Sequence, residues 1–428
     1  TGQGPMASQS LTIIRTKLRI ADNYLRDIKK HIWVHLAVGA LIALVLLVLP
    51  LRRWLGRMGS WFAMFLLTIS PTLMLRGRYL RHDIWLMVAA MVMVICFFSY
   101  LEDRKERWLY IIAGALSVAF CSIAGAFIYG AIFGSFLLLY LLVAWGRTRQ
   151  PLKDLPVFDL VLLLGTLAMP LTAPVFVKAL KFDPLDYSQA GMVRTSIIVF
   201  VLLAVSAVIG IWWKRKAWLI SAAIYYSIFI VFYTTLFTNA RGMATGMVGM
   251  LGYWLSQQGV RRGGQPWYYF FFLLTVYEFL PCLLTGMGAA YYWLTTLHTR
   301  KRQAAGPSTE LRPRGKQEAG SRKREAPTIN DQRPRGQPAE MRVFVPFLLY
   351  WVLMTLIIWT WVGEKMAWQN MHLVLPLGLL GGWFVGQVWD RTDWRKWLQQ
   401  GAAYAAVLLP VALFSLLVLL SATLGPAR

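Results

Sequence analysis

From residue 32 to the end of the chain, apolar stretches long enough to cross a bilayer recur with short polar breaks, and no other feature restricts the fold as strongly. A helix needs roughly 20 apolar residues to span the hydrocarbon core. Stretches near that length read as approximately 32–51, 58–75, 83–101, 108–123, 125–145, 155–176, 195–213, 217–236, 267–297, 343–362, 371–389 and 400–423. Hydrophobic residues make up 57% of the chain, whereas soluble domains sit near roughly 45–50%, so lipid must cover the excess. The pattern predicts an all-α polytopic bundle of about twelve spans. Nine fall in residues 32–297 and three in 343–428.

The formal charge of +25 does not describe a nucleic-acid binder, whose Lys and Arg would gather on a folded polar surface. Here they lie in short loops between apolar runs. Arg52, Arg53 and Arg57; Arg104, Lys105 and Arg107; Arg147, Arg149 and Lys153; Lys214, Arg215 and Lys216; and Arg391, Arg395 and Lys396 fall on one side of the predicted bundle. Basic loops stay inside, so this side is expected to be cytoplasmic. The basic, Pro/Gly-rich stretch 298–342 falls there too and carries too few large apolar residues to offset its chain entropy. It is expected to be a disordered cytoplasmic linker, serving as a topology signal or binding acidic headgroups. Residues 1–31 form a separate extracytoplasmic segment, in which 11–32 carries apolar positions at helical spacing and reads as an interfacial amphipathic helix or a flexible leader. Cys96, Cys121 and Cys282 lie inside apolar runs without metal-ligand spacing and read as small hydrophobes.

Polar residues cluster in the opposite set of connections. Arg76, Arg78, Arg81, His82 and Asp83 meet at one span boundary, where charges are costly unless paired or bound to a ligand. They form either a surface salt-bridge cluster or a site in which the Arg side chains grip a phosphate and Asp83 orients a sugar or metal group. Glu364, Lys365, Trp368 and His372 share another short turn that suits an anionic headgroup with an attached sugar, or an interfacial aromatic belt. Arg241, Gln265 and Trp267 belong to the long outer stretch from Thr238 to Tyr269, whose middle reads as a short helix or re-entrant segment. Glu278 lies within the ninth span, either as a functional acid or as a hydrogen-bonding residue in a Pro-kinked helix. No P-loop, HExxH site or hydrolase elbow is present.

Three runs carry a resemblance: FTNARGMATGMVGMLGYWLSQQGVRRGGQPWYYFFFLLTVYEFLP from Phe237 to Pro281, SPTLMLRGRYLRHDIW from Ser70 to Trp85, and GEKMAW with HLVLPLGLLGG between Gly363 and Gly382. Over about residues 40–390 the chain resembles the prokaryotic membrane proteins described as flippase-activity-associated. These are a branch of the GT-C glycosyltransferases similar to protein O-mannosyltransferases. The resemblance implies a GT-C-like fold with an outward-facing cavity in the cytoplasmic membrane, a polyprenyl-phosphate sugar donor, and an acceptor it does not identify. It carries Arg81 and Asp83 over as the family's second polar motif and Lys365 as a contact to the lipid phosphate; with the chemistry of the residues, Arg78, Arg81 and Lys365 are expected at the donor phosphate and Asp83 and His82 as supporting residues. Arg241, Gln265, Trp267, Glu278, Glu364, Trp368 and His372 would then line the substrate cavity. No cofactor motif is present; a divalent metal at the acid is compatible with the chemistry. The family's acidic pair in its first outer loop has no counterpart in this chain, so the resemblance places the general base upstream of Thr1. Ser122-Ile123-Ala124-Gly125 stands where the family carries a Lys-Glu-Asn element, and Ala367 where it carries Pro. An N-terminally truncated enzyme fits these departures, as does a diverged member that binds a glycolipid without turning it over. A lipid-linked-oligosaccharide translocation factor or transporter is the alternative of a different class.

Overall fold

The computed structural model describes residues 38–78, 82–260, 264–304, 341–363 and 365–399, with side chains undescribed at 76–78, 299–304, 341–342 and 397–399. The amphipathic segment 11–32, most of the 298–342 linker, Arg81, Glu364 and the predicted span 400–423 lie outside the described residues. What is described is built from helices: α1 Val38–Leu55, α2 Arg57–Ile69, α3 Pro71–Arg78, α4 Asp83–Asp103, α5 Glu106–Ser122 and α6 Gly125–Thr148. Then come α7 Pro156–Ala179, α8 Gln189–Tyr233, α9 Met250–Gln257, α10 Tyr269–Tyr277, α11 Phe279–Ala304, α12 Met341–Trp361, α13 Met371–Arg391 and α14 Trp394–Gln399. Among the described residues, seven helical segments are long and apolar enough to cross a membrane, or eight if the bent pair α10–α11 is one span. The protein is an all-α polytopic membrane protein.

The sequence-predicted stretches up to 389 coincide with these helices, with local differences. α2 and α5 stop short of a full bilayer crossing, at 13 and 17 residues. The stretches 195–213 and 217–236 are two arms of α8, broken where Lys214 leaves helical geometry (φ −149°, ψ 85°). α11 runs past the predicted boundary at 297 to Ala304, because Lys301, Arg302, Gln303 and Ala304 are all strong helix formers.

Between membrane helices there is little hydrophobic driving force, so close packing at small residues takes its place. α2 and α13 run antiparallel and meet through a stripe of such residues. A Cβ at Gly382 would fall 2.6 Å from both the Cβ and the backbone nitrogen of Ala63, and one at Gly386 would fall 2.7 Å from the Gly59 backbone. Gly378 packs on Leu67 in the same register. Pro376 lies inside α13, and one residue on Thr285 of α11 gives its hydroxyl to the Leu377 carbonyl at 2.9 Å, tying the two helices together.

Polar groups mark the two ends of this bundle. At one end, Arg53 donates to Glu102 at 2.7 Å and to Ser99 at 2.6 Å, and stacks over Trp54. α4 and α6 both end at this level, each closed by an Arg in the left-handed region: Arg104 (φ 52°) donates to the Tyr100 carbonyl and Arg149 (φ 56°) to the Trp145 carbonyl. A cation there also favours the negative end of the helix dipole. At the other end, α8 starts on Ser188, whose hydroxyl accepts the Gly191 N–H at 3.1 Å. Hydrogen bonds from Ser188 hold the Asp186 carboxyl below the usual carboxylate range.

Candidate functional site

The helix starts at that second end gather the polar residues of interest. Asp83 lies in the first turn of α4 and His372 in the first turn of α13, where a carboxylate suits the positive pole of a helix. Asp83 Oδ1 and His372 Nε2 are 3.6 Å apart, with both side chains 2% exposed. The other imidazole nitrogen, Nδ1, is 3.2 Å from the Tyr129 hydroxyl in the first turns of α6. Trp359 of α12 stacks on the ring at 5.3 Å and an interplanar angle of 6°. Four helices thus hold one imidazole by two nitrogens and a face, which fixes its orientation and directs Nε2 at the carboxylate.

A cavity of about 570 Å³ opens at the same end, lined by Gln258, Gly264, Gln265, Pro266, Trp267, Trp361, Gly363 and Lys365. Trp361 is 81% and Trp267 is 67% exposed, large apolar faces left open beside a cation. Lys365 Nζ donates to the Val362 carbonyl at 3.1 Å, which holds the ammonium over the turn rather than free in solution. The turn is tied to the connection before α10, because Gln258 Oε1 accepts the Gly363 N–H at 3.2 Å. No side chain fits at position 363, where a Cβ would lie 2.5 Å from the Gln258 carbonyl oxygen. The connection reaches this point through a π turn, Thr245–Gly249, pressed against Tyr233 at Gly242 and Gly246; such widened turns recur at functional sites.

Of the residues expected at a substrate cavity, the fold brings Gln265, Trp267 and Lys365 together in one lining. Trp368, half-buried, follows Lys365 in the same turn. His372 is buried against Asp83 instead of facing that lining. His82 is exposed at the turn before α4, and Arg241 is exposed just before Gly242. Arg78 ends α3. Glu278 lies outside the cavity lining, buried at the junction of α10 and α11, where Ser70 donates to it at 2.6 Å. Among the described residues no three His, Cys, Asp or Glu side chains gather closely enough to hold a metal ion.

Two polar residues escaped the sequence reading. Tyr129 is one, a hydroxyl inside an apolar helix whose partner is distant in the chain. The other is Asp159, buried at the opposite end, where it accepts from Tyr100 Oη, from Trp213 Nε1 at 2.7 Å and from Lys214 Nζ at 2.8 Å. An acid inside a predicted span is itself a signal, and Asp159 lies four residues into the stretch read as 155–176.

These features define a multi-pass membrane protein with a polar site at one end of its helical bundle. The sequence model of the family described as Dolichyl-phosphate-mannose-protein mannosyltransferase matches residues 25–177. Over that part, which holds Asp83 and Tyr129, the chain is similar to a family of membrane glycosyltransferases. No curated protein matches the chain, and no solved structure does.

Proposed function

We propose that the protein is a GT-C-type glycosyltransferase that moves a sugar from a polyprenyl-phosphate-linked donor to an acceptor hydroxyl at the extracytoplasmic end of the bundle. The observation that carries this reading is the similarity of residues 25–177 to the mannosyltransferase family. The site supports it chemically. Lys365 places a positive charge beside two open indole faces and two Gln side chains. This combination suits a lipid-linked phosphate, through the ammonium, and an attached sugar, through ring stacking and hydroxyl hydrogen bonds.

In the reaction the acceptor oxygen attacks the anomeric carbon and the bond from that carbon to the phosphate oxygen breaks. The acceptor proton passes to a base, and the polyprenyl phosphate leaves with the bonding electrons. Lys365, together with Arg78 and Arg81, stabilises the charge growing on that phosphate. Direct displacement of this kind inverts the anomeric centre. Asp83 and His372, buried and paired, act as positioning residues that fix the starts of α4 and α13 beneath the site. The protein belongs in a prokaryotic cytoplasmic membrane on this reading, with stretch 298–342 in the cytoplasm.

The test is turnover by the full-length protein in proteoliposomes supplied with a radiolabelled polyprenyl-phosphate sugar, following release of polyprenyl phosphate. Lys365→Ala is expected to lower kcat/KM for the donor by about tenfold or more, the loss of one charge-assisted contact. Transfer that survives both Lys365→Ala and Asp83→Ala unchanged would refute the site. Lipid-linked sugar crossing the bilayer without any transfer would establish the translocation reading instead.

A further inference from the structure

Gln258 caps the C-terminal end of α9 and lines the same cavity as Lys365. Its amide uses both ends. Nε2 donates to the Trp254 carbonyl at 3.0 Å, within its own helix, and Oε1 accepts the Gly363 N–H at 3.2 Å. A primary amide offers a donor and an acceptor together, whereas an ionised Glu only accepts and Lys only donates. α9 itself is held from behind: Lys178 Nζ donates to the Leu255 carbonyl at 3.1 Å, and a Cβ at Gly252 would lie 3.2 Å from side-chain atoms of both Pro184 and Leu185.

The Gly363 N–H and the Val362 carbonyl belong to one peptide unit. That carbonyl accepts from Lys365 Nζ at 3.1 Å, so Gln258 and Lys365 hold opposite edges of a single plane. A trans peptide is rigid and directs its C=O and N–H to opposite sides. Turning the plane to follow one partner therefore moves the other. The unit lies past the end of α12 at Trp361, and Val362 is 1% exposed. Among the described residues, these two side chains supply its hydrogen bonds, as a buried peptide group requires. The missing side chain at Gly363 lets the Gln258 backbone approach, since a Cβ there would meet its carbonyl oxygen at 2.5 Å.

An ammonium has three donors. One is spent on Val362, and two remain for the oxygens of an anion in the cavity. On the reading that Lys365 grips the donor phosphate, we propose that Gln258 is a positioning residue of that site. Through the Val362–Gly363 peptide it sets where the ammonium stands, and with it the affinity for the phosphate. Gln258 supplies no charge of its own; it holds the charge in place, and a shift of about 1 Å is enough to weaken such a contact severely.

Equilibrium binding of radiolabelled polyprenyl phosphate to the full-length protein in detergent tests this, with the uncharged polyprenol as second probe. Gln258→Met keeps the bulk and removes both hydrogen bonds. It is expected to weaken polyprenyl phosphate binding by about five- to tenfold and to leave polyprenol binding near wild type. In Lys365→Ala the ammonium is gone, so adding Gln258→Met is expected to cost nothing further. Gly363→Ala displaces Gln258 by another route and is expected to repeat the loss, with the same dependence on Lys365. Losses that add, or that are equal for polyprenyl phosphate and polyprenol, overturn the proposal. Wild-type affinity in Gln258→Met, with binding still lost in Lys365→Ala, overturns it and leaves the Lys365 reading standing; unchanged binding in Lys365→Ala removes both.

Discussion

His372 Nε2 lies 3.6 Å from Asp83 Oδ1, and this contact joins the first turn of α13 to the first turn of α4 across most of the chain. Because the imidazole is also held by Tyr129 and stacked on Trp359, loss of the carboxylate charge leaves the ring in place without its partner. Asp83→Asn preserves shape and leaves the two helix starts in place, so it is expected to lower transfer by about tenfold or less, with little change in Tm. Asp83→Ala also leaves buried polar atoms unpaired and is expected to cost about 1–3 kcal/mol of stability. Turnover and melting measured on both variants separate the two effects.

The span pattern was legible because apolar runs near bilayer length have few alternatives, and the structure places helices at the stretches read up to residue 389. Gln265, Trp267 and Lys365 were also legible as neighbours, since each sits in a connection on the same predicted side. The pairing of Asp83 with His372 was not, because nothing local in either segment specifies which helix start lies beside which. Lys214 shows the opposite limit. It was counted as a loop charge, but it sits in a non-helical break inside α8 and reaches back to the buried Asp159, a contact set by tertiary packing alone.

The packing of α2 on α13 depends on backbone approach, not on side-chain fit. A methyl group at Gly382 would meet the nitrogen and Cα of Ala63, at 2.6 and 2.7 Å, as well as its Cβ. Gly382→Ala is therefore expected to destabilise the bundle by about 1–3 kcal/mol through overpacking. Ala63→Gly in the same chain is expected not to rescue it, since the backbone atoms stay where they are. Melting of the single and double variants in detergent checks this; full rescue would show that the methyl–methyl contact alone sets the distance.

Asp159 and Lys214 contribute unequally to the other end of the bundle. The Asp159 side chain is 8% exposed and receives three donors, whereas Lys214 is 41% exposed and remains largely solvated. Asp159→Ala strips partners from Tyr100 and Trp213 together and is expected to cost about 1–3 kcal/mol. Lys214→Met removes a partly screened charge and leaves the carboxylate with two donors, so a cost of about 0–1 kcal/mol is expected. Equal losses of Tm in the two variants would contradict this ordering.

The arrangement of charges also predicts sidedness. Arg53, Glu102, Asp103 and Lys214 lie at one end of the bundle, with Lys365 and Gln265 at the other, because α4 runs from Asp83 at the second end to Asp103 at the first. Basic loops remain in the cytoplasm, so a cysteine at Gln265 should react in intact cells with a maleimide that cannot cross membranes. Cysteines at Lys105 and Gly315 should react only after permeabilisation. The native Cys96 is buried and Cys121 and Cys282 are half-buried within membrane helices, so the unmodified protein supplies a low background. Labelling of Gly315→Cys from outside would invert the orientation and move the Lys365 cavity to the cytoplasmic face, where an extracytoplasmic donor could not reach it.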